Sequence, residues 1–199
     1  IFIRHLYPKC YQQKNNYCAK FVTRSISTFD FLTNDLGTTL SKTANDLNKK
    51  NKKIKALELG FGQGRIMLEI LTHYKNIHVT GINKGGDKDF YMPPKKDVDE
   101  FLDLMNFFDM PKLTKKDLKS RLSYIHKDLS NGQLNMFKSN TFDLVYSLKT
   151  IRYLKNKKKL IEEIWRVLKV GGIALIDLNL FFIQNQNGNE VLNIFFQSS

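Results

Sequence analysis

A short apolar run, Ile54 to Leu59, breaks at Gly60 into Gly60-Phe61-Gly62-Gln63-Gly64 and resumes at Arg65 in a helical pattern. Three glycines so closely spaced remove Cβ clashes and admit positive φ, so the backbone can turn sharply and approach a ligand. A strand, a glycine turn and a helix in that order form the front of a βα unit of the nucleotide- or phosphate-binding type. Two details narrow the ligand. The glycines fall at 60, 62 and 64, whereas the dinucleotide pattern GxGxxG needs its third at 65, which is arginine. Glu58 stands just before the turn, where a carboxylate repels a pyrophosphate and attracts a cationic or hydroxylated group.

The chain beyond the turn continues the alternation. Arg65 to Tyr74 places Ile66, Met67, Ile70 and Leu71 on one helical face. Strands are predicted at 77–82, 123–126, 142–147 and 173–178. Between the last two, Lys155 to Lys169 reads as an amphipathic helix with Leu160, Ile161, Ile164, Trp165 and Leu168 inward, stopped by Gly171-Gly172. Upstream, Phe29, Phe31, Leu32, Leu36, Leu40 and Leu47 make one stripe across a helical pattern from Thr28 to Lys50, weakened at Gly37. Strands separated by helices predict an α/β fold, a Rossmann-like doubly wound and mainly parallel sheet.

The predicted organisation is a basic arm over residues 1–29 and one domain over 30–199, with a long insert at about 84–122. That connection exceeds an ordinary crossover and is expected to bear function. It holds a helix at about Val98 to Phe108, ridged by Phe101, Leu102, Met105 and Phe108, and a short one capped by Thr114 with Asp117. After strand five, Gln184 to Asn189 reads as a polar turn and Val191 to Phe196 as one further strand. The sheet is therefore expected to be truncated after strand five or six. A chain beginning at Ile1 rather than Met reads as a fragment or a processed product.

Residues 1–29 hold no acid but carry Arg4, Lys9, Lys14, Lys20 and Arg24, with Thr23, Ser25, Ser27 and Thr28 near their end. This is the composition of a mitochondrial or other organelle leader; the alternative is an arm covering the domain. Cys10 and Cys18 are too far apart for a zinc pair and have no second pair to complete a site, so no metal is expected. A reducing, cytoplasmic compartment is the default. No apolar run reaches the roughly 18 to 20 residues of a membrane-spanning helix. The net charge of +13 invites a nucleic-acid partner. Yet lysines outnumber arginines 26 to 6 and asparagines reach 18, a bias that A- and T-rich codons produce wherever a solvated face tolerates it.

The stretch ELGFGQGR (58 to 65) resembles the first motif of the class I S-adenosylmethionine-dependent methyltransferases, in which an acid and GxGxG surround the methionine part of the cofactor. VTGIN (79 to 83) resembles that class's second strand, YIHKDL (124 to 129) its third and FDLVYSL (142 to 148) its fourth. WRVLKVGGIALI (165 to 176) is similar to the stretch leading into the fifth, with Val170 where proline is usual. The whole is closest to the type 11 methyltransferase domain group, a broad set acting mostly on small molecules.

The resemblance implies S-adenosyl-L-methionine as cofactor and assigns places to particular residues. Glu58 would orient the loop or the methionine amine, and Gly60, Phe61, Gly62 and Gly64 would line the cofactor. Asp128 would accept from the adenine amino group, with the Leu129 N–H beside it, and Ser147 would stand near the transferable methyl. Asn83 occupies the place where most members hold both ribose hydroxyls with an acid. Its amide oxygen still accepts, but the lost charge assistance predicts roughly tenfold weaker binding.

No catalytic base is assigned; His73 and His126 are the nearest candidates. Lys149 and Arg152, after the fourth strand, could attract an anionic substrate. The chain lacks a Pro-Pro-aromatic motif after strand four and a cysteine near strands four and five, which argues against amino methylation of bases and a covalent cytosine mechanism. The resemblance to the type 11 group implies a small-molecule acceptor. The alternatives are methylation of RNA, or a module of this fold that binds RNA or a partner without turnover.

Overall fold

Alternate residues of the strand β1 (Ile54–Leu59) serve two different cores. Ile54 and Ala56 join one buried cluster, Leu57 and Leu59 another, so both faces of this strand are covered. The computed structural model describes residues 25–33, 38–50, 52–84, 98–177, 184–185, 188–189 and 193–197. Around β1 the chain runs α1 (Ile26–Thr33), α2 (Leu40–Lys50), β1, α3 (Arg65–His73), β2 (Ile77–Asn83), α4 (Val98–Phe107), α5 (Lys115–Arg121), β3 (Leu122–His126) and β4 (Phe142–Ser147). One turn of 3₁₀ helix at Ile151–Tyr153 precedes α6 (Lys157–Val167) and β5 (Leu168–Asp177). The short β6 (Gln184–Asn185), β7 (Gly188–Asn189) and β8 (Asn193–Gln197) follow.

The main sheet has the order β3-β2-β1-β4-β5-β8. The first five strands are parallel and β8 runs antiparallel against β5. Helices α1 to α5 contribute to the cluster on one face, and α6 dominates the other. This is the expected doubly wound α/β sheet. The strand predicted at 191–196 is β8, and β6 pairs with β7 where a polar turn was expected.

The N-terminal helical pattern is two helices rather than one. The Ser25 hydroxyl accepts from the Thr28 N–H (3.2 Å) at the start of α1, and Thr39 accepts from Lys42 (3.1 Å) at the start of α2. Each start is thus capped locally, and the Asp30 carboxylate accepts from the Ser41 N–H (3.1 Å) to tie the two together. Phe29 is fully buried, whereas Phe31 is 79% exposed and leaves the predicted stripe. Leu36 and Gly37 lie outside the described residues.

The helix before strand five also differs from its prediction. It ends at Val167, because Asn140 and Thr141 donate to the Arg166 and Val167 carbonyls (3.0 and 2.8 Å) and occupy its C-terminal acceptors. Leu168 is already in β5 and pairs with Phe142, so Gly171-Gly172 is an irregularity inside the strand rather than a helix stop. Gly171 has φ +76, and a Cβ on Gly172 would stand 2.8 Å from the Lys169 carbonyl. Buried positions on α6 are Leu160, Glu163, Ile164 and Val167, while Trp165 is 47% exposed. A glutamate holds a core-facing place because Arg166 grips it through Nε and Nη2, both at 2.8 Å, and the Leu134 N–H donates to it at 3.0 Å. The insert keeps its predicted helices. Thr114 and Asp117 form a reciprocal capping box on α5, and Phe101, Leu104 and Met105 bury the inner face of α4.

Candidate functional site

Parallel strands bring the ends of β1, β2, β3 and β4 to one edge of the sheet, and the strand order switches there between β1 and β4, the place where sheets of this kind bind ligands. The glycine turn sits at that edge. Gly60 and Phe61 both donate to the Ile82 carbonyl (2.7 and 3.3 Å), and Gly64 donates to Phe61 O (2.7 Å), which winds the chain tightly into α3. All three glycines have positive φ, at 78°, 54° and 85°.

Their surroundings differ. A Cβ on Gly60 would lie 2.0 Å from Thr150 Oγ1, and one on Gly64 would lie 2.9 Å from the Phe101 ring of α4. Among the described residues, a Cβ on Gly62 would meet nothing within 4 Å, so this glycine faces the open side of the turn. Phe61 itself is buried, its ring filling the space that Gly81 leaves: a Cβ there would come within 2.6 Å of it.

Beneath the turn lies Glu58, 4% exposed, on the face that carries Ile54 and Ala56. The Tyr146 hydroxyl donates to its Oε2 (3.0 Å), and Phe29 of α1 packs edge-on to Tyr146 with ring centres 6.2 Å apart. Burial drives the Glu58 carboxyl up from its ordinary 4.5 to about 8; the Tyr146 hydrogen bond lowers it, and repulsion from Glu69 raises it further. Glu69 is itself held, by Arg65 Nε (2.8 Å) and by the Ile26 N–H (2.5 Å). No cation pairs with Glu58 among the described residues.

The other residues singled out in the sequence are placed around this centre. Asn83 ends β2 beside His126, the last residue of β3; its amide donates to the Lys84 carbonyl (3.3 Å), and its own carbonyl accepts from Lys127 (2.8 Å). Asp128 accepts from the Ser130 N–H and hydroxyl (2.7 and 2.5 Å), which hold its carboxyl below the usual range, and it also pairs with Lys84 at 3.6 Å. Leu129 is buried in the α6-side core. The fully buried Ser147 donates its hydroxyl to Leu59 O (2.9 Å), bracing the strand that leads into the turn.

Lys149 follows β4 with φ 58°; the Arg152 side chain and both cysteines lie outside the described residues. His73 is exposed at the end of α3, far along the helix from the glycine turn. Sequence reasoning did not find Thr150 or Gly81. Gly81 carried a signal all the same, because a glycine inside a strand marks a close approach by another group.

The strand order, the glycine turn after β1 and the antiparallel strand beyond β5 define the class I methyltransferase fold. Solved structures with this fold include the cyclase SpnF, with a TM-score of 0.50 and 19% identity over 86% of this chain and 50% of that one. They also include a candidate sarcosine dimethylglycine methyltransferase from Galdieria sulphuraria, with a TM-score of 0.50 and 16% identity over 86% of this chain and 52% of that one. The chain spans about half the length of either. Residues 105–176, from the end of α4 through β5, match the family model described as Methyltransferase domain. No curated protein sequence matches significantly. The chain thus shares the fold of these structures, and its residues 105–176 match the model of a methyltransferase domain.

Proposed function

We propose that the chain binds S-adenosyl-L-methionine over the glycine turn and transfers its methyl group to a small-molecule acceptor. The observation that carries this reading is Glu58, a buried carboxylate at the end of β1 with no cation among its described neighbours. An ammonium group brought beside it would restore its charge. Gly62 supports the same reading, since its open side lets a ligand approach the backbone.

On this reading Gly60, Phe61, Gly62 and Gly64 form the floor under the methionine part, and Glu58 receives its amine. Asn83 accepts from the ribose, Asp128 from the adenine amino group, and the Leu129 N–H serves a ring nitrogen. Ser147 positions the end of β4 through Leu59. Bound here, the sulfonium supplies an electrophilic methyl group, and the protein's part is to hold an acceptor in line with it. Orientation of that kind can lower a barrier by about 7 to 11 kcal/mol without an acid or base. Lys149 and Arg152 favour an acceptor bearing negative charge.

The small-molecule assignment rests on the resemblance to the type 11 group; the missing motifs speak only against methylation of nucleic-acid bases. Domain limits of 1–29 and 30–199 belong to the same proposal, although α1 crosses residue 29. No helix of the described residues is long and apolar enough to cross a membrane.

A second reading, binding of RNA or a partner without turnover, is favoured by the net charge of +13 and by Asn83. Incubation with methyl-labelled S-adenosylmethionine and separated small-molecule and RNA fractions of a cell extract distinguishes the readings. Label in the small-molecule fraction is expected. Label in RNA alone, or in neither fraction with a folded chain, overturns the proposal.

A further inference from the structure

Both ring nitrogens of His126 are buried and have no hydrogen-bond partner among the described residues. A neutral imidazole carries one donor and one acceptor, and leaving both unmet away from water is costly, so such a group calls for a ligand or another explanation. Its ring lies between Phe61 of the glycine turn (6.3 Å between centres) and Tyr124 (5.8 Å), and neither ring face answers a nitrogen lone pair. His126 pairs in register with Asn83 across the parallel β2–β3 ladder, so the two side chains stand next to each other on one sheet face at its C-terminal edge.

We propose that His126 is a second ribose-binding residue, which together with Asn83 replaces the carboxylate usual at the end of β2. This rests on the cofactor reading above and extends it to a residue that reading leaves unused. A vicinal diol has two O–H donors to place. A carboxylate offers two acceptor oxygens, whereas Asn83 offers one, because its amide nitrogen is already turned to the Lys84 carbonyl. The unprotonated nitrogen of His126 supplies the second acceptor. The Lys84–Asp128 pair links the residues just beyond these two strand ends, and both side chains are about half exposed. A surface pair of that kind is weak and parts readily for a ligand.

Calorimetric titration of the full chain with S-adenosylhomocysteine and with its 2′,3′-dideoxy analogue tests the assignment. His126→Phe keeps the aromatic packing and should weaken S-adenosylhomocysteine about tenfold, the worth of one hydrogen bond to a buried acceptor. Its affinity for the dideoxy analogue should match that of the unaltered chain. His126→Gln, which retains an acceptor, should stay within about threefold and serves if the phenylalanine variant does not fold. Equal weakening toward both ligands would make the ring a packing element and overturn the assignment. Unchanged S-adenosylhomocysteine affinity would leave water as the partner of His126 and overturn it as well. If the unaltered chain binds neither ligand, the cofactor reading falls and this inference with it; if only the histidine variants behave contrary to expectation, this inference falls alone.

Discussion

Replacing Glu58 by glutamine keeps the shape of the side chain and an acceptor for the Tyr146 hydroxyl, but removes the ionisable group. In the folded chain the Glu58 carboxyl titrates near 8 rather than 4.5, so the native state holds a proton that the unfolded chain gives up. The unfolded state then binds fewer protons between those two values, and stability falls as pH rises through that window. From pH 4.5 to pH 7 the loss attributable to this one carboxyl is about 3 kcal/mol, an upper value because the site is wholly buried. Glutamine pays a fixed desolvation cost but none that varies with pH. The stability difference, variant minus unaltered chain, should therefore rise by up to about 3 kcal/mol between pH 4.5 and 7. Urea unfolding of both proteins at several pH values, followed by circular dichroism, measures it. Parallel stability curves for the two proteins would refute the claim that Glu58 is an uncompensated buried acid. The same variant should bind S-adenosylhomocysteine at least tenfold more weakly, because an amide offers the ammonium an acceptor but no opposing charge.

The two ends of the glycine turn should respond differently to alanine. Gly60→Ala drives a Cβ into Thr150 in addition to straining φ, and is expected to cost about 3 kcal/mol or more in urea unfolding. Gly62→Ala meets open space and should cost only about 1 kcal/mol. Arg166→Met breaks the grip on Glu163 and frees the Leu134 and Phe137 carbonyls, and should destabilise the chain by about 3 kcal/mol at pH 7. The Arg166 hydrogen bonds hold the Glu163 carboxyl down at about 2, so this contribution is present above about 4.5 and disappears as pH falls through 2; the variant's deficit should shrink over the same range. Asn83→Asp should tighten S-adenosylhomocysteine about tenfold by calorimetry, and an unchanged affinity would remove Asn83 from the ribose.

The short apolar run of β1 and the glycine turn after it made the fold legible, because a strand covered on both faces reads as such a run. The α6 boundary was not legible. Glu163 looks like a solvent-facing residue until Arg166 and the Leu134 N–H are seen to satisfy it, and assigning it outward rotated Trp165 inward. Capping by Asn140 and Thr141 comes from another segment, so no local residue marked the end of that helix. At the site, the glycines and Glu58 could be picked out by spacing alone. Thr150 could not, because it matters through its clash with a distant glycine; His126 stood out only as a candidate base, and its other role depends on what its ring lacks among the described residues.

The central claim is that the turn at Gly60 to Gly64 holds S-adenosylmethionine, and calorimetric titration of the unaltered chain and of Gly62→Val with S-adenosylhomocysteine tests it most directly. A bulky group on the open side of the turn blocks the ligand; its Cβ meets nothing within 4 Å among the described residues, so the cost to the fold is the strain at φ +54 rather than a clash at Cβ. One-to-one binding to the unaltered chain and its loss in the variant are expected, with both proteins folded by circular dichroism. No binding to the folded unaltered chain at millimolar ligand, or equal binding to the two proteins, would contradict that claim.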